Sequence, residues 1–295
     1  MKKAVMLCLV ILLFSFFAFQ EQVTKADARM LMQCARGEDV GGCGKYPPVL
    51  IKILSLFSSR DEFVIYFFLI VATILVPLTL VKITGQEITA WFYFSATNFY
   101  FALISAGFYA QTLAVMLTFT MLLTKRWYLR IGLLLVASFT HTTGFLMAST
   151  FWFVLSLQEQ SKQGFFVCSP FFGKETPEIF NTPLLISSKG FSAFSVGTLL
   201  SVMIKRLPFF FLFPALLTLW KRKEIALLML FAVFFGAGLL IHDRGFYMAA
   251  LPMVIGLSYY YKDEKSTLIK GGILIISIAV FFFNLFQVYS LITSC

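Results

Sequence analysis

The ionisable residues of this sequence that could do chemistry lie between long apolar runs. Asp27 opens the short segment 27–37, and the adjacent carboxylates Glu38 and Asp39 follow it directly. A carboxylate at such a position can cap a helix, or it can act as a general base that takes a proton from a hydroxyl group. The residues alone leave both interpretations of Asp27 open, and a solvated turn is the simpler interpretation of Glu38 and Asp39.

The cations that could hold an anionic group come later in the chain. Lys205 and Arg206 precede one apolar run, and His242, Asp243 and Arg244 lie between two others. The guanidinium group of arginine offers a bidentate fork to phosphate oxygens. The alternative for all of these cations is ordinary anchoring at a membrane surface, with the side chains extended toward water.

His141 stands inside an apolar run, in Phe139-Thr140-His141-Thr142-Thr143. We predict one helix over 130–157, which puts His141 about eleven residues, or roughly 16 Å, from its start and so near mid-membrane. A neutral histidine that bonds to neighbouring threonine hydroxyls is one interpretation. A role in a lipid-carrier groove or a proton path is the other.

Cysteine spacing predicts no zinc or thioredoxin-like site, because none of the five cysteines forms a Cys-x-x-Cys pair. Cys34 and Cys43 share one polar segment and are close enough in sequence to form a disulfide. Cys168 is a rival partner, and free thiols are a third option. In the predicted external loops Glu38-Asp39 is the only tight carboxylate cluster, which leaves the dependence on a divalent metal open.

The elements that must position these residues follow from composition. The chain has 295 residues, of which 59% are hydrophobic and only 13% charged, and its mean hydropathy is +0.87. These values exclude an ordinary soluble domain and a disordered chain. The continuous apolar runs exclude the alternating pattern of a membrane β-barrel. We therefore predict an all-α polytopic membrane protein, with a single domain over 1–295.

Nine apolar runs are near the length that crosses a bilayer, so we predict about nine transmembrane helices. The first follows Lys2 and Lys3 and lacks a small-x-small cleavage pattern, which favours a retained span over a signal peptide. Shorter apolar stretches at 48–58 and 191–204 are predicted to be interfacial helices. The nine runs are about 4–19, 62–82, 88–104, 107–124, 130–157, 207–220, 224–241, 245–261 and 269–290.

The distribution of basic residues predicts the orientation. Lys2 and Lys3, together with the basic clusters in the short even-numbered turns, place the N-terminus in the cytoplasm of a multi-pass cell-membrane protein. The long loops at 20–61 and 158–206 are then external. The net charge of +10 comes without a basic run or a nucleic-acid-binding signature. It therefore favours anionic lipid head groups or phosphate-bearing ligands over nucleic acid.

The first external loop has a definite order of parts. Ala28, Leu31, Met32 and Ala35 share one helical face, which predicts an amphipathic helix lying on the membrane. Gly37 is expected to end this helix. The loop then closes with Tyr46-Pro47-Pro48, and the proline pair is expected to start the next helix.

This order resembles the first external loop of the GT-C superfamily, the integral-membrane glycosyltransferases that use polyprenyl-phosphate sugars. The segment from Arg244 to Tyr247, with Pro252 beyond it, is similar to that superfamily's Arg-x-x-Tyr…Pro entry to a late span. The resemblance follows the order of elements across most of the chain. Its best-matching motifs lie in 20–60 and 240–255.

The resemblance implies specific roles. Asp27 would be the catalytic base, although family members often have an acidic pair where this chain has Ala26-Asp27. The donor would be a polyprenyl-phosphate sugar, and the acceptor a glycan, lipid or protein at the external face. A partner subunit stays open, because the chain is small for the superfamily. The donor phosphate would be held by Arg244, Lys205 and Arg206, with Glu38, Asp39, His242, Asp243, His141 and Tyr46 in secondary roles.

Two other functions remain open at this point. A transporter or flippase for a lipid-linked or anionic solute would need polar groups along a path through the membrane, and His141 is the clear candidate. An O-antigen or EpsG-like polysaccharide polymerase would use a large arginine-rich external loop. The loop at 158–190 has three lysines and no arginine, so this alternative ranks below the transferase.

Overall fold

The computed structural model describes residues 1–23, 27–38, 43, 48–56, 61–97, 99–105, 109–163, 209–240 and 244–293, and every regular element in these ranges is a helix. A π-helical segment, Val71–Leu75, joins the helices Asp61–Ile70 and Val76–Thr84 into one continuous helix. The helices are α1 Lys2–Val23, α2 Asp27–Ala35, α3 Pro48–Ser55, α4 Asp61–Ile70, α5 Val76–Thr84, α6 Ile88–Ser95, α7 Phe99–Ser105, α8 Tyr109–Leu123, α9 Trp127–Ser138, α10 Thr142–Gln163, α11 Phe209–Lys221, α12 Ile225–Leu240, α13 Arg244–Asp263 and α14 Thr267–Thr293.

Two helical stretches within the described ranges are long and apolar enough to cross a membrane, judged by length and composition alone. They are Tyr66–Thr84 and Thr267–Phe286. In the first, 56% of the apolar window is buried inside the protein, whereas in the second only 17% is buried. The second therefore has most of its apolar surface facing away from the protein.

The direction of the first helices follows from contacts between α1 and the α6–α7 pair. The amino group of Met1 forms an ion pair with Glu87, just before α6. Further along, the Ser15 hydroxyl forms a hydrogen bond with the Tyr100 hydroxyl of α7. These contacts occur in the same order along both segments, so α1 and α6–α7 run in parallel.

The later helices turn at the same end of the bundle as Glu87. The Tyr259 hydroxyl donates a hydrogen bond to the carbonyl oxygen of Ile83, at 3.4 Å, and Arg222 forms an ion pair with Asp263 at 2.9 Å. Helix α8 starts four residues after the end of α7, at the opposite end of the bundle. It packs against α5, so it runs back to the end that carries Glu87. We name the end formed by turns 85–87, 124–126, 222–224 and 264–266 the charged end. The opposite end, which carries α2 and the first residue of α13, is the loop end.

Helix α13 lies at the centre of the later part of the bundle. Every residue from Gly245 to Tyr259 is buried, and α13 packs against α11, α12, α6 and α7. The close approach of α11 requires glycine at position 256, because a Cβ there would lie 2.5 Å from the carbonyl oxygen of Ala215. Small residues of this kind let helix backbones come close together.

The π-helical segment is held by a hydrogen bond from a neighbouring helix. The Tyr93 hydroxyl of α6 donates to the carbonyl oxygen of Ala72 at 2.9 Å, and both residues are buried. A π turn shifts backbone carbonyls out of the usual α-helical pairing. The tyrosine therefore supplies a partner to a buried carbonyl that water does not reach.

The prediction of one helix over 130–157 is wrong. Helix α9 ends at Ser138 and α10 begins at Thr142. A Cβ on Gly144 would lie 2.6 Å from the carbonyl oxygen of Ala137, yet residues seven apart in a straight helix are separated by about 10.5 Å. The chain therefore turns back at residues 139–141, where a hydropathy profile registers only a continuous apolar run.

Contacts between α8 and α10 give the direction after this turn. Gly144 lies against Ala114, and the rings of Phe119 and Phe151 are 5.4 Å apart. The order of these contacts makes α10 parallel to α8, so both helices run toward the charged end. This differs from the predicted external start of the loop at 158–206, since residues 158–163 lie at the same end as the turn 124–126.

Candidate functional site

The two residues with the strongest predicted roles each begin a helix at the loop end. Asp27 is the first residue of α2, which follows α1 after three residues. Arg244 is the first residue of α13. Their side chains lie outside the described residues, so the structure gives the position of each backbone and the direction of each helix. Both residues therefore lie at the same end of the bundle.

The amphipathic helix predicted around 27–37 is present as α2, but its apolar face is not on the bundle surface. Leu31 and Met32 are each 1% exposed. They belong to the same buried cluster as Leu50 and Leu54 of α3, and α2 also contacts α4. Burying side chains of this size stabilises a structure by about 1.5–3 kcal/mol each. The apolar face of α2 is thus covered by protein, and the placement of this helix at a membrane surface stays a prediction.

The end of α2 is fixed by a defined backbone motif. Gly37 has a φ of 78°, and α2 ends at Ala35, which is where the sequence predicted the stop. The N–H of Gly37 donates to the carbonyl of Cys34 at 3.1 Å, and the N–H of Glu38 donates to that of Gln33 at 3.0 Å. This pair of bonds is the Schellman motif, which satisfies the last carbonyls of a helix.

A disulfide joins Cys34 and Cys43, with their Cα atoms 5.3 Å apart. This is one of the pairings that the sequence left open, and it connects the end of α2 to the segment that leads into α3. A cross-link of this kind restricts the unfolded chain more than the folded one. It therefore holds the chain after α2 close to the helix that Asp27 begins.

Among the secondary candidates, Glu38 is described and is exposed. Its carboxylate lies 3.6 Å from the guanidinium of Arg36, and both side chains are more than a third exposed. An exposed pair like this contributes little to stability. Six further predicted residues lie outside the described ranges: Lys205, Arg206, Asp39, Tyr46, His242 and Asp243.

His141 is not in the middle of a helix as predicted, because it lies in the turn between α9 and α10. Its side chain is partly exposed, whereas the side chain of Thr140 is fully buried. The Thr140 hydroxyl donates to the backbone carbonyls of Val136 and Ala137, at 2.7 and 2.8 Å. The proton of this hydroxyl therefore goes to the helix backbone and is not offered to the imidazole.

The charged end holds a network that the sequence did not reveal. Arg222 makes bidentate hydrogen bonds to the Asp263 carboxylate, at 2.9 to 3.2 Å. It also lies over the ring of Tyr259, 4.4 Å from its centre. The partners are about forty residues apart in sequence, so neither periodicity nor spacing could pair them. The network fastens the start of the α11–α12 turn to the end of α13.

The pKa values of two carboxyl groups at the charged end are shifted in opposite directions. Partial burial raises the pKa of Glu224 above its ordinary value, and the nearby Arg222 only partly offsets this. The backbone N–H of Ser266, which donates to the Glu264 carboxylate at 2.8 Å, lowers the pKa of Glu264. Hydrogen bonds to the charged form favour ionisation, and loss of water opposes it.

The loop end therefore carries Asp27 and Arg244, each at a helix start, and the disulfide-linked loop that follows α2. Within the described ranges, no three histidine, cysteine, aspartate or glutamate side chains come close enough to hold a metal ion. A carboxylate and a cation at one end of a bundle can activate a hydroxyl and hold an anionic leaving group. In comparisons with models of protein families, with curated protein sequences and with solved structures, nothing matches this chain.

Proposed function

We propose that this chain is a multi-pass membrane glycosyltransferase that moves a sugar from a polyprenyl-phosphate donor to an acceptor at the loop end. The observation that carries the proposal is the position of Asp27 and Arg244, which begin two different helices at the same end of the bundle. The reaction needs a base for the acceptor and a cation for the phosphate. Those are the two groups that these residues supply.

The proposed placement in a membrane is supported by the apolar character of the protein surface. On α14, Phe282, Phe283 and Phe286 are each more than half exposed, and Leu268 is 86% exposed. Water would make such a surface costly, whereas lipid chains would cover it favourably. Basic residues gather at the charged end, which we therefore place in the cytoplasm, with the loop end outside.

The proposed topology changes one predicted span and, with it, the predicted external loop at 158–206, because α10 ends at the charged end whereas α11 begins at the loop end. The α9–α10 hairpin replaces the single span at 130–157, because the chain reverses between Ser138 and Thr142. The continuous helix 61–84 and the pair α6–α7 each take the place of one predicted span, at 62–82 and 88–104. Helices α1, α8, α11, α12, α13 and α14 match the remaining six.

In the proposed mechanism the Asp27 carboxylate takes the proton from the acceptor hydroxyl. The acceptor oxygen then attacks the anomeric carbon of the sugar, and the bond from that carbon to the phosphate oxygen breaks. The electron pair stays on the phosphate, which Arg244 holds together with Lys205 and Arg206. The phosphate is already a good leaving group, so the protein needs no covalent intermediate.

The transfer assay for Asp27→Asn tests this proposal. Asparagine keeps the volume and the helix-capping ability of aspartate but cannot act as a base. In membranes supplied with a panel of polyprenyl-phosphate sugars, we expect transfer to fall by about 10²–10⁴-fold, as is typical of the loss of a general base. Folding is followed by size-exclusion chromatography in detergent and by the Cys34–Cys43 disulfide, and both should be unchanged.

Asp61→Asn is the matched control for Asp27→Asn. Asp61 is also an aspartate at the first position of a helix at the loop end, so this variant makes the same chemical change without touching the proposed base. Transfer should be retained in it. Wild-type transfer by Asp27→Asn, or an equal loss in both variants, would contradict the assignment of Asp27.

A transporter for a lipid-linked or anionic solute is the second candidate. The observation that favours it is the polar turn with His141, which interrupts an apolar hairpin. Reconstituted vesicles distinguish the two functions, because a transporter moves the intact lipid-linked sugar between leaflets. A transferase releases the polyprenyl phosphate and leaves the sugar on the acceptor.

A further inference from the structure

The π-helical segment Val71–Leu75 separates two halves of one helix, and the exposed sides of these halves line up. Ile70 of α4, Leu75 at the end of the segment and Lys82 of α5 are all exposed. A regular α-helix turns about 100° per residue, so it would place Ile70 and Leu75 about 140° apart around its axis. A π turn takes up one additional residue, which reduces this angle to about 40°. The three side chains therefore lie on one face of the helix.

The buried sides of the two halves line up in the same way. Phe68 of α4 and Leu80 of α5 are buried and lie twelve residues apart. An α-helix would put them about 120° apart around its axis, whereas one residue taken up by the π turn leaves about 20°. The helix 61–84 thus has one residue more than α-helical packing against its neighbours requires.

Pro77 and Tyr93 explain where the additional residue is taken up. The N–H of Val76 donates to the carbonyl of Val71, which is the i→i+5 pairing of a π-helix. The next such bond would reach the carbonyl of Ala72, but residue 77 is proline and has no N–H. The Tyr93 hydroxyl donates to this carbonyl at 2.9 Å and so replaces the donor that the proline lacks.

Helix α4 is the half that supports the helix of the proposed base. It packs against both α1 and α2, and the ring of its Tyr66 stacks on Phe16 of α1, with ring centres 5.0 Å apart. Asp27 is the first residue of α2. The rotation of α4 relative to α5 therefore decides which of its side chains face α1 and α2.

We propose that the π turn fixes the rotation of α4 under α2, and that Tyr93 is the positioning residue that holds this turn. One residue more or less in a plain α-helix turns one half by about 100° relative to the other. The π turn accommodates the additional residue without that rotation, so α4 keeps the orientation in which α2 packs on it. The rotation of α4 does not depend on the transfer chemistry, whereas the effect on Asp27 rests on the proposed function.

Cross-linking with a short bifunctional thiol reagent measures the rotation of α4. The starting protein keeps the disulfide of α2 and has alanine in place of the other three cysteines. Phe16→Cys and Tyr66→Cys form the reporter pair. Trp91→Cys and Phe281→Cys form the control pair, because their rings are at a similar distance, 5.5 Å, but connect α6 with α14. Cross-linking of the control pair shows that a variant is folded.

Two length variants decide whether one residue is in excess. Both carry Pro77→Ala, so that a plain α-helix can form. Deletion of Ala72 should keep the cross-linking rate of the reporter pair within about twofold of the starting rate, since an α-helix without the additional residue leaves both faces aligned. Insertion of one alanine after Ala72 should lower this rate at least about tenfold, because it turns α4 by about 100° relative to α5. The control pair should be unchanged in both variants.

Tyr93→Phe tests the role of the tyrosine. In the unchanged protein it leaves the Ala72 carbonyl without a donor, so Tm in detergent should fall by about 3 °C or more. In the deletion variant the α-helical pairing is complete, and Tyr93→Phe should not lower Tm. Tyr259→Phe is the matched control, because the Tyr259 hydroxyl also donates to a carbonyl of this helix, at Ile83, but outside the π turn. Its effect should be the same in both backgrounds.

Transfer should follow the reporter pair, with retention in the deletion variant and loss in the insertion variant. In Tyr93→Phe the maximal rate should fall while the KM for the donor stays the same, because Arg244 begins α13 and not a helix that supports α2.

The inference is overturned when deletion and insertion slow the reporter pair alike, or when Tyr93→Phe lowers Tm equally in both backgrounds. Transfer at the starting rate by the insertion variant would overturn the role of α4 in placing Asp27. None of these results bears on Asp27 as the base, which the Asp27→Asn assay decides by itself.

Discussion

Helices α13 and α14 follow each other in the chain, and both are apolar, yet they occupy opposite surroundings. Each residue from Gly245 to Tyr259 of α13 is buried, whereas only 17% of the apolar window of α14 is buried. Of the two, the exposed helix α14 is the more apolar, because it is apolar enough to cross a membrane by length and composition and α13 is not. In a protein that meets lipid, the interior is no more apolar than the exterior, so close packing and hydrogen bonds decide which helix is central.

The two helices differ in what their small residues touch. In α13, Gly256 lies against the backbone of Ala215 in α11, whereas Gly271 and Gly272 of α14 have nothing within 4 Å of an added Cβ. Two polar side chains of α14, Ser277 and Asn284, are buried, and they mark the side of this helix that packs against protein. A glycine in the sequence therefore shows close packing only when its neighbour is known.

The largest effect in this comparison should come from adding one methyl group to each helix. Gly256→Ala places a carbon against the Ala215 carbonyl and should destabilise the protein by about 1–3 kcal/mol through overpacking. Gly271→Ala should instead stabilise it, by up to about 1 kcal/mol, because alanine favours the helix and meets no neighbour. Thermal unfolding in detergent measures both. Shifts of the same sign would mean that α14 is also closely packed near Gly271.

A smaller effect should separate the two sides of α14. The Asn284 side chain donates to the carbonyl oxygen of Thr97 at 3.3 Å and is 2% exposed, while its neighbour Phe283 is 55% exposed. Asn284→Ala leaves a buried carbonyl without its partner, so we expect a loss of about 1–3 kcal/mol. Phe283→Ala should change stability by no more than about 0.5 kcal/mol. Equal losses in thermal unfolding would place Phe283 in a protein contact.

The smallest effect concerns the two carboxylates at the charged end. The pKa of Glu224 is raised in the folded protein. It therefore favours the folded state below the ordinary value of 4.5, and this contribution is lost as the pH rises through the folded value. The pKa of Glu264 is lowered, so its contribution is present above 4.5 and is lost as the pH falls through the folded value.

Glutamine variants of the two residues should show this difference in Tm measured between pH 3.5 and 7. Glu224→Gln should gain stability relative to the unchanged protein as the pH rises. Glu264→Gln should lose stability at neutral pH and match the unchanged protein in acid. A common direction for both variants would mean that the partial burial of Glu224 and the Ser266 hydrogen bond do not control these two groups.

Local features of this fold could be predicted from the sequence because local chemistry determines them. The helix at 27–35 follows from its apolar face, and its end follows from Gly37, which takes up the positive φ that a Schellman motif requires. The helices at 61–84 and 109–123 follow from apolar runs bounded by polar turns. Cys34 and Cys43 were already near neighbours, so their disulfide needed only a short return of the chain.

Features that depend on distant parts of the chain could not be predicted in this way. The reversal at 139–141 has no proline and no long polar stretch, and it becomes evident only from the contact of Gly144 with Ala137 and Ala114. The burial of α2 depends on α3 and α4, which lie beyond the disulfide. Periodicity identifies the apolar face of a helix, but it does not say whether lipid or protein will cover that face.

The Cys34–Cys43 disulfide also makes the loop between them a closed ring in covalent terms. Cutting any one peptide bond inside this ring would yield two polypeptides that stay linked through sulfur. A protease site introduced between Asp39 and Gly42 would therefore give a protein that migrates as one species on a non-reducing gel and as two after reduction. The proposed base would remain on the N-terminal fragment, still attached to α3 and the rest of the bundle. A split form of the protein could thus be prepared without separating α2 from the helices that it packs against.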